Sequence, residues 1–145
     1  MKSMKTSVAT LNLIENQIIH FIVDDNAEFG LEDMLEVRAA NIKLSDGQPY
    51  CVAMEAGNFS NFSEDVRKAS ASPEHTKNRI ALALIHNNLA TRLIFNFYLA
   101  INSPVGKTKA FQSKEKALLW LRKMRDRHNK VALKRENSVA AGKKM

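Results

Sequence analysis

Arg79-Ile-Ala-Leu-Ala-Leu-Ile-His86 and, two asparagines later, Leu89-Ala-Thr-Arg-Leu-Ile-Phe-Asn-Phe-Tyr-Leu-Ala-Ile101 hold the densest apolar sequence in the chain. Their reading decides the fold. The first run has strand length, with charge in front of it and Asn87-Asn88 behind, which suits a β-strand buried on both faces; alanine and leucine alone would also permit helix. The second is long enough for several helical turns, with Leu89, Leu93, Asn96/Phe97 and Ala100 on one stripe and Pro104 and Gly106 as its stop. A core strand followed by a helix lying over it is the expectation.

Working outward, Thr108-Lys-Ala-Phe111 reads as a last short strand, and Ser113 can cap a helix whose inward face is Ala117, Trp120, Leu121 and Met124. Upstream, residues 7–14 and 17–23 are rich in β-branched side chains around the turn-prone Glu15-Asn16, the pattern of a β-hairpin. The second of these leaves only His20 polar, as a central strand would. Leu31, Met34, Leu35, Arg38, Ala39 and Ile42 recur at helical spacing before Ser45-Asp46-Gly47, and Tyr50 to Met54 reads as a short buried strand. Ser60 to Asn78 is polar and reads as two short helical pieces, with Ser63 and Ser72-Pro73 as their starts. The order predicts an α/β single domain: a mixed sheet of about five strands, opened by a β-hairpin, with helices packed on it.

Composition agrees with one folded unit: 145 residues, 45% hydrophobic and 26% charged, are ordinary globular values. Cys51 is the only cysteine, so no intramolecular disulfide can form, and a cytoplasmic location is expected. The basic start, Met1 to Lys5, is followed by an apolar stretch broken by Asn12, Glu15, Asn16 and Gln17, unlike a signal peptide. No apolar run reaches the roughly 20 residues of a membrane span. The formal net charge of +7 resides at the C-terminal end, where nine basic residues from Arg122 to Lys144 stand against Asp126 and Glu136. Residues 1–124 are therefore expected to form the domain, and 125–145 a basic, disordered tail that frays after Arg127. No aromatic residue follows Trp120 for base stacking, so only nonspecific, salt-sensitive contact with nucleic acid would be expected of it.

The order of elements resembles the STAS-like, or SpoIIAA-like, domains of bacterial anti-sigma-factor antagonists. Arg79-Ile-Ala-Leu-Ala through Asn88, Phe95-Asn96-Phe97 and Phe111 with Ala117, Trp120 and Leu121 look like a group of small uncharacterised bacterial proteins given that fold. The resemblance covers roughly residues 8–124 and rests on packing positions. It implies a non-enzymatic regulatory or protein-interaction module. In phosphoregulated antagonists, a serine in an Asp-Ser-Ser/Thr-Gly motif is modified at a helix start, and here Ser60 and Ser63 fall in about that place. No Asp precedes either serine, no Gly follows, and Glu64-Asp65 would repel a phosphate, so a helix cap is the better reading.

Chemistry-bearing motifs are missing from the sequence: no Gly-rich phosphate loop, no Gly-x-Ser-x-Gly elbow and no paired-histidine metal motif occurs. His20, His75, His86 and His128 lie on separate elements, and no metal or other cofactor is expected; His20 and His86 would meet only if their strands were neighbours. An enzyme is not expected. The apolar surplus of the second run, Phe95, Tyr98 and Leu99 above all, is the candidate interaction face, with a homodimer as the favoured occupant. The alternative is a small-molecule or lipid-binding module with an apolar pocket near residues 89–101.

Overall fold

Strand β7 (Arg79–Ile85) sits inside a sheet and alternates from Ala81 onward: Leu82 and Leu84 face one side, Ala81, Ala83 and Ile85 the other. The computed structural model describes residues 2–102 and 107–143. Before β7 come β1 (Lys2–Lys5), β2 (Ala9–Glu15), β3 (Ile18–Val23), β4 (Glu28–Phe29), α1 (Leu31–Leu44), β5 (Tyr50–Glu55), β6 (Asn61–Phe62), α2 (Glu64–Ser70) and α3 (Pro73–Thr76). After it come α4 (Leu89–Asn102), β8 (Lys107–Phe111) and α5 (Lys114–Lys143). The main sheet has six strands in the order β1-β2-β3-β5-β7-β8. The first three are antiparallel and the rest parallel, while β4 and β6 pair as a separate two-residue ribbon.

That order dictates where the helices lie. From β3 to β8 the chain always steps toward the same edge, so right-handed crossovers carry α1, α2 and α4 over one face. The other face is left to α5. Its neighbours there are small: Cys51, Ala53, Ala81 and Ala83 form a shallow floor on which Ala117 and Leu121 rest with no exposed surface. On the three-helix face the sheet presents Phe21, Val52, Leu82 and Leu84 to Met34, Val37, Val66, Phe95 and Tyr98.

Two ties fix the layers. Glu15 at the β2–β3 turn accepts hydrogen bonds from Arg122 (2.7 Å) and Arg125 (3.2 Å) of α5, and Arg125 also reaches the Asn16 carbonyl at 3.0 Å. Beyond the other strand ends, Gly57 lies so close to the β3 exit that an added Cβ would sit 2.4 Å from the Asp24 carbonyl group. Only glycine fits there.

The structure confirms the α/β sheet and adds to it. Strand β1 is an extra edge strand whose Lys-Ser-Met-Lys sequence carries no hydrophobic alternation, so it forms by pairing with β2. In α1 the buried stripe is Met34, Val37, Ala40, Asn41 and Leu44, and the expected stripe is a correction: Leu35 is 57% exposed, because a second apolar row one step round the helix competes with the first. Helix α5 runs to Lys143, past the fraying expected after Arg127; the stretch holds three alanines and three lysines, good helix formers, and contains no proline. The expected stop at Pro104 and Gly106 lies outside the described residues.

A candidate ligand cavity beneath helix α4

Three short helices cannot fill the space above large side chains as closely as one long helix can above alanines. A cavity of about 100 Å³ remains between the sheet and α1, α2 and α4. Most of its lining is apolar. One end is aromatic, where Phe21, Phe29 and Phe62 stack in series at centroid distances of 6.1 and 5.4 Å, held by the β4–β6 ribbon.

The other end is polar and is built from residues on four elements: Asn41 of α1, Ser70 of α2, His75 of α3 and Arg79 at the start of β7, with Tyr98 of α4 beside them. Ser70 Oγ and Tyr98 Oη are 3.0 Å apart. The Arg79 guanidinium reaches only the Ser70 carbonyl, at a long 3.5 Å, and no carboxylate among the described residues pairs with it. Asn41 Oδ1 and His75 Nδ1 are buried without a hydrogen-bond partner. Such orphans are rare in a packed interior, where each costs on the order of 1–3 kcal/mol.

Electrostatics at this end follow from burial around unpaired positive charge. Burial first, then the charges of Arg79 and Arg38, drives the His75 imidazole down to about 4, so the ring is neutral at physiological pH. Burial also raises the Tyr50 hydroxyl, against the opposing pull of Arg79, Arg38 and a hydrogen bond from Asn41, and it lowers Arg79 itself.

The sequence-predicted candidates fall partly into this site and partly outside it. Phe95 and Tyr98 are buried on the sheet side of α4, and Leu99 packs against the same core. Their assignment to an outer interaction face is corrected: Leu89, Leu93, Phe97 and Ile101 are the exposed row, each more than half exposed. Both rows have helical spacing, and α4 is apolar nearly all round, so periodicity could not choose between them. Ser63 caps α2, accepting from the Val66 amide at 3.2 Å, while Ser60 donates to the Gly57 carbonyl at 2.8 Å. His20 and His86 do not meet, since β5 runs between their strands; His20 pairs instead with Glu55. Among the described residues no group of three His, Cys, Asp or Glu side chains is placed to hold a metal ion, and no helix is long and apolar enough to cross a membrane.

Sequence reasoning missed Asn41, His75 and Arg79 as partners. Arg79 looked like the charged boundary of a strand, and only the closure of α3 onto the sheet brings the three together.

A six-stranded mixed sheet with three helices on one face and a single C-terminal helix on the other defines a STAS-like, SpoIIAA-like module. The chain is similar to an uncharacterized protein from the DUF3478 family with a SpoIIAA-like fold from Shewanella loihica PV-4, with a TM-score of 0.56 and 16% identity over 81% of this chain and 98% of that one. The family whose model matches is described as "Domain of unknown function (DUF7793)", over residues 12–125, and the chain belongs to it. No curated protein matches the chain.

Proposed function

We propose that this STAS-like domain is a non-enzymatic, cytoplasmic module that takes a small apolar molecule into the cavity beneath α4. The observation that carries the reading is the cavity itself: apolar walls, an aromatic end, and convergent polar groups left without partners at the other end. An engineered cavity of roughly 150 Å³ lined by aliphatic and aromatic groups holds benzene. A void of about 100 Å³ that opens past the exposed Ile94 suits a slender chain of several carbons whose end reaches the rim. Hexan-1-ol should raise the melting temperature of the wild-type protein in a concentration-dependent way and lose that effect in Val66→Phe, whose ring would occupy the space. No stabilisation of the wild type by millimolar hexan-1-ol would sink the reading.

A second reading keeps the regulatory or protein-interaction role and is favoured by the exposed row Leu89, Leu93, Phe97 and Ile101 on α4. A homodimer through that row would dissociate in the Leu93→Glu, Phe97→Glu double variant. Sedimentation velocity of the wild type tests it directly, and a monomer at high concentration would rule it out.

A further inference from the structure

We propose that the ligand of the cavity is a short-chain carboxylic acid, bound as its anion with the carboxylate on Arg79 and the hydrocarbon body running toward Phe29 and Phe62; the inference rests on the cavity reading above. Arg79 lines the void, and its best contact among the described residues is the long one to the Ser70 carbonyl. A guanidinium half-sunk in an apolar wall without a carboxylate is incomplete, because its planar fork of donors is the natural mate of a two-oxygen anion. The Tyr98 hydroxyl stands at the same end, 3.0 Å from Ser70 Oγ, whose own proton goes to the Arg67 carbonyl at 3.1 Å, and the buried His75 Nδ1 there has no partner. Arg38 adds positive charge from α1, but its guanidinium is already engaged with the Glu74 carbonyl at 3.0 Å.

Size and charge narrow the class further. With about 100 Å³ available, a headgroup of three heavy atoms leaves room for a body of a few carbons, whereas a phosphate ester would fill most of the space with oxygen. Arg67 of α2 also lines the void, and no carboxylate among the described residues pairs with it, so the lining carries positive charge and selects for an anion. A cation finds no carboxylate at this end at all, as no Asp or Glu lines the cavity.

Calorimetric titration of the full chain at pH 7.5 with hexanoate, hexan-1-ol and hexyl phosphate tests the assignment. Hexanoate should bind about tenfold tighter than hexan-1-ol or more, the size expected of a charge-assisted pair. Arg79→Gln should abolish that preference, and a urea unfolding transition like that of the wild type shows that the variant keeps its fold. Arg79→Lys should retain only part of the preference, since it keeps the charge and loses the fork. Equal binding of hexanoate and hexan-1-ol by the wild type overturns the carboxylate and leaves the cavity standing. Tighter binding of hexyl phosphate than hexanoate overturns it in favour of a phosphate. If neither the acid nor the alcohol binds, the cavity reading falls and takes this inference with it.

Discussion

The two faces of the sheet solve the same problem with opposite side chains. Under α5 the floor is alanine and cysteine, and the helix settles on it so closely that Ala117 and Leu121 have no exposed surface. Under α1, α2 and α4 the floor is phenylalanine, valine and leucine, and the roof is three pieces of helix from different parts of the chain. Small residues admit one continuous partner at native packing density, whereas large ones beneath several short partners leave gaps at the seams. The tight face supplies rigidity, and the loose face supplies a place to bind. The one cysteine belongs to the tight face: Cys51 lies under Leu121, and burial pushes its thiol up to about 12. It is therefore a packing residue, and maleimide should label it only on unfolding.

If the tight face is the structural keel, the fully buried leucine that α5 sets on it should be costly to trim. Leu121→Ala should lose on the order of 3–4 kcal/mol of unfolding free energy, toward the upper part of the range for a fully buried leucine, because the alanine floor beneath cannot move up to fill the hole. Urea denaturation followed by circular dichroism measures it. A loss below about 1 kcal/mol would mean that α5 is not held as described. The reverse change sharpens the same contrast: Ala83→Leu forces three more carbons beneath α5 and should cost about 1–3 kcal/mol through strain, despite the added hydrophobic surface.

The sequence displayed the sheet far better than it displayed the site. Five strands could be read because β-branched runs, and for β7 a strand-length apolar run between charge and two asparagines, encode their own burial; that its leucines face one side and its alanines the other is shown by the structure. Helix faces were another matter. In α1, Leu31, Leu35 and Ile42 suggested one row while Met34, Val37, Asn41 and Leu44 formed the buried one; in α4, the row of Leu89, Leu93 and Phe97 is as apolar as the row of Phe95, Tyr98 and Leu99. Which row turns inward depends on where the crossover sets the helix down, and that is a tertiary decision. The cavity was placed near α4 by its surplus of apolar residues, but its polar end was invisible, since Asn41, Ser70, His75 and Arg79 are joined by no spacing in the chain. Strand β1 escaped for a simpler reason: an edge strand of polar residues has no hydrophobic signature.

A pH experiment separates the faces by a smaller margin. Burial opposes ionisation of Glu15, but hydrogen bonds and charge from Arg122 and Arg125 prevail and hold its carboxyl below the ordinary value of 4.5. A lowered folded-state pKa contributes stability that is present above the unfolded value and is lost as pH falls through the folded one. The contribution should thus be complete at pH 7 and should shrink as pH falls below 4.5 toward the lowered folded value. With Glu15 partly exposed, it should be modest, about 0.5–1 kcal/mol. Glu15→Gln should be less stable than wild type by that amount at pH 7, and the difference should narrow as pH falls below 4.5. A difference that persists unchanged to pH 3 would show that the ion pairs do not fasten α5 to the β2–β3 turn.

The smallest effect is expected on the loose face, and its smallness is the argument. Val66 is buried on α2 with its side chain at the cavity wall. Val66→Ile adds one methyl group to a space that has room for it, so the usual cost of overpacking does not arise and the change in stability should lie within about 0.5 kcal/mol of zero or slightly above it. The added methyl should nonetheless weaken hexan-1-ol binding, because ligand and side chain compete for the same volume. A seam that tolerates extra bulk in the free protein and resents it in the bound one is a binding site; a seam that resents it in both is merely core.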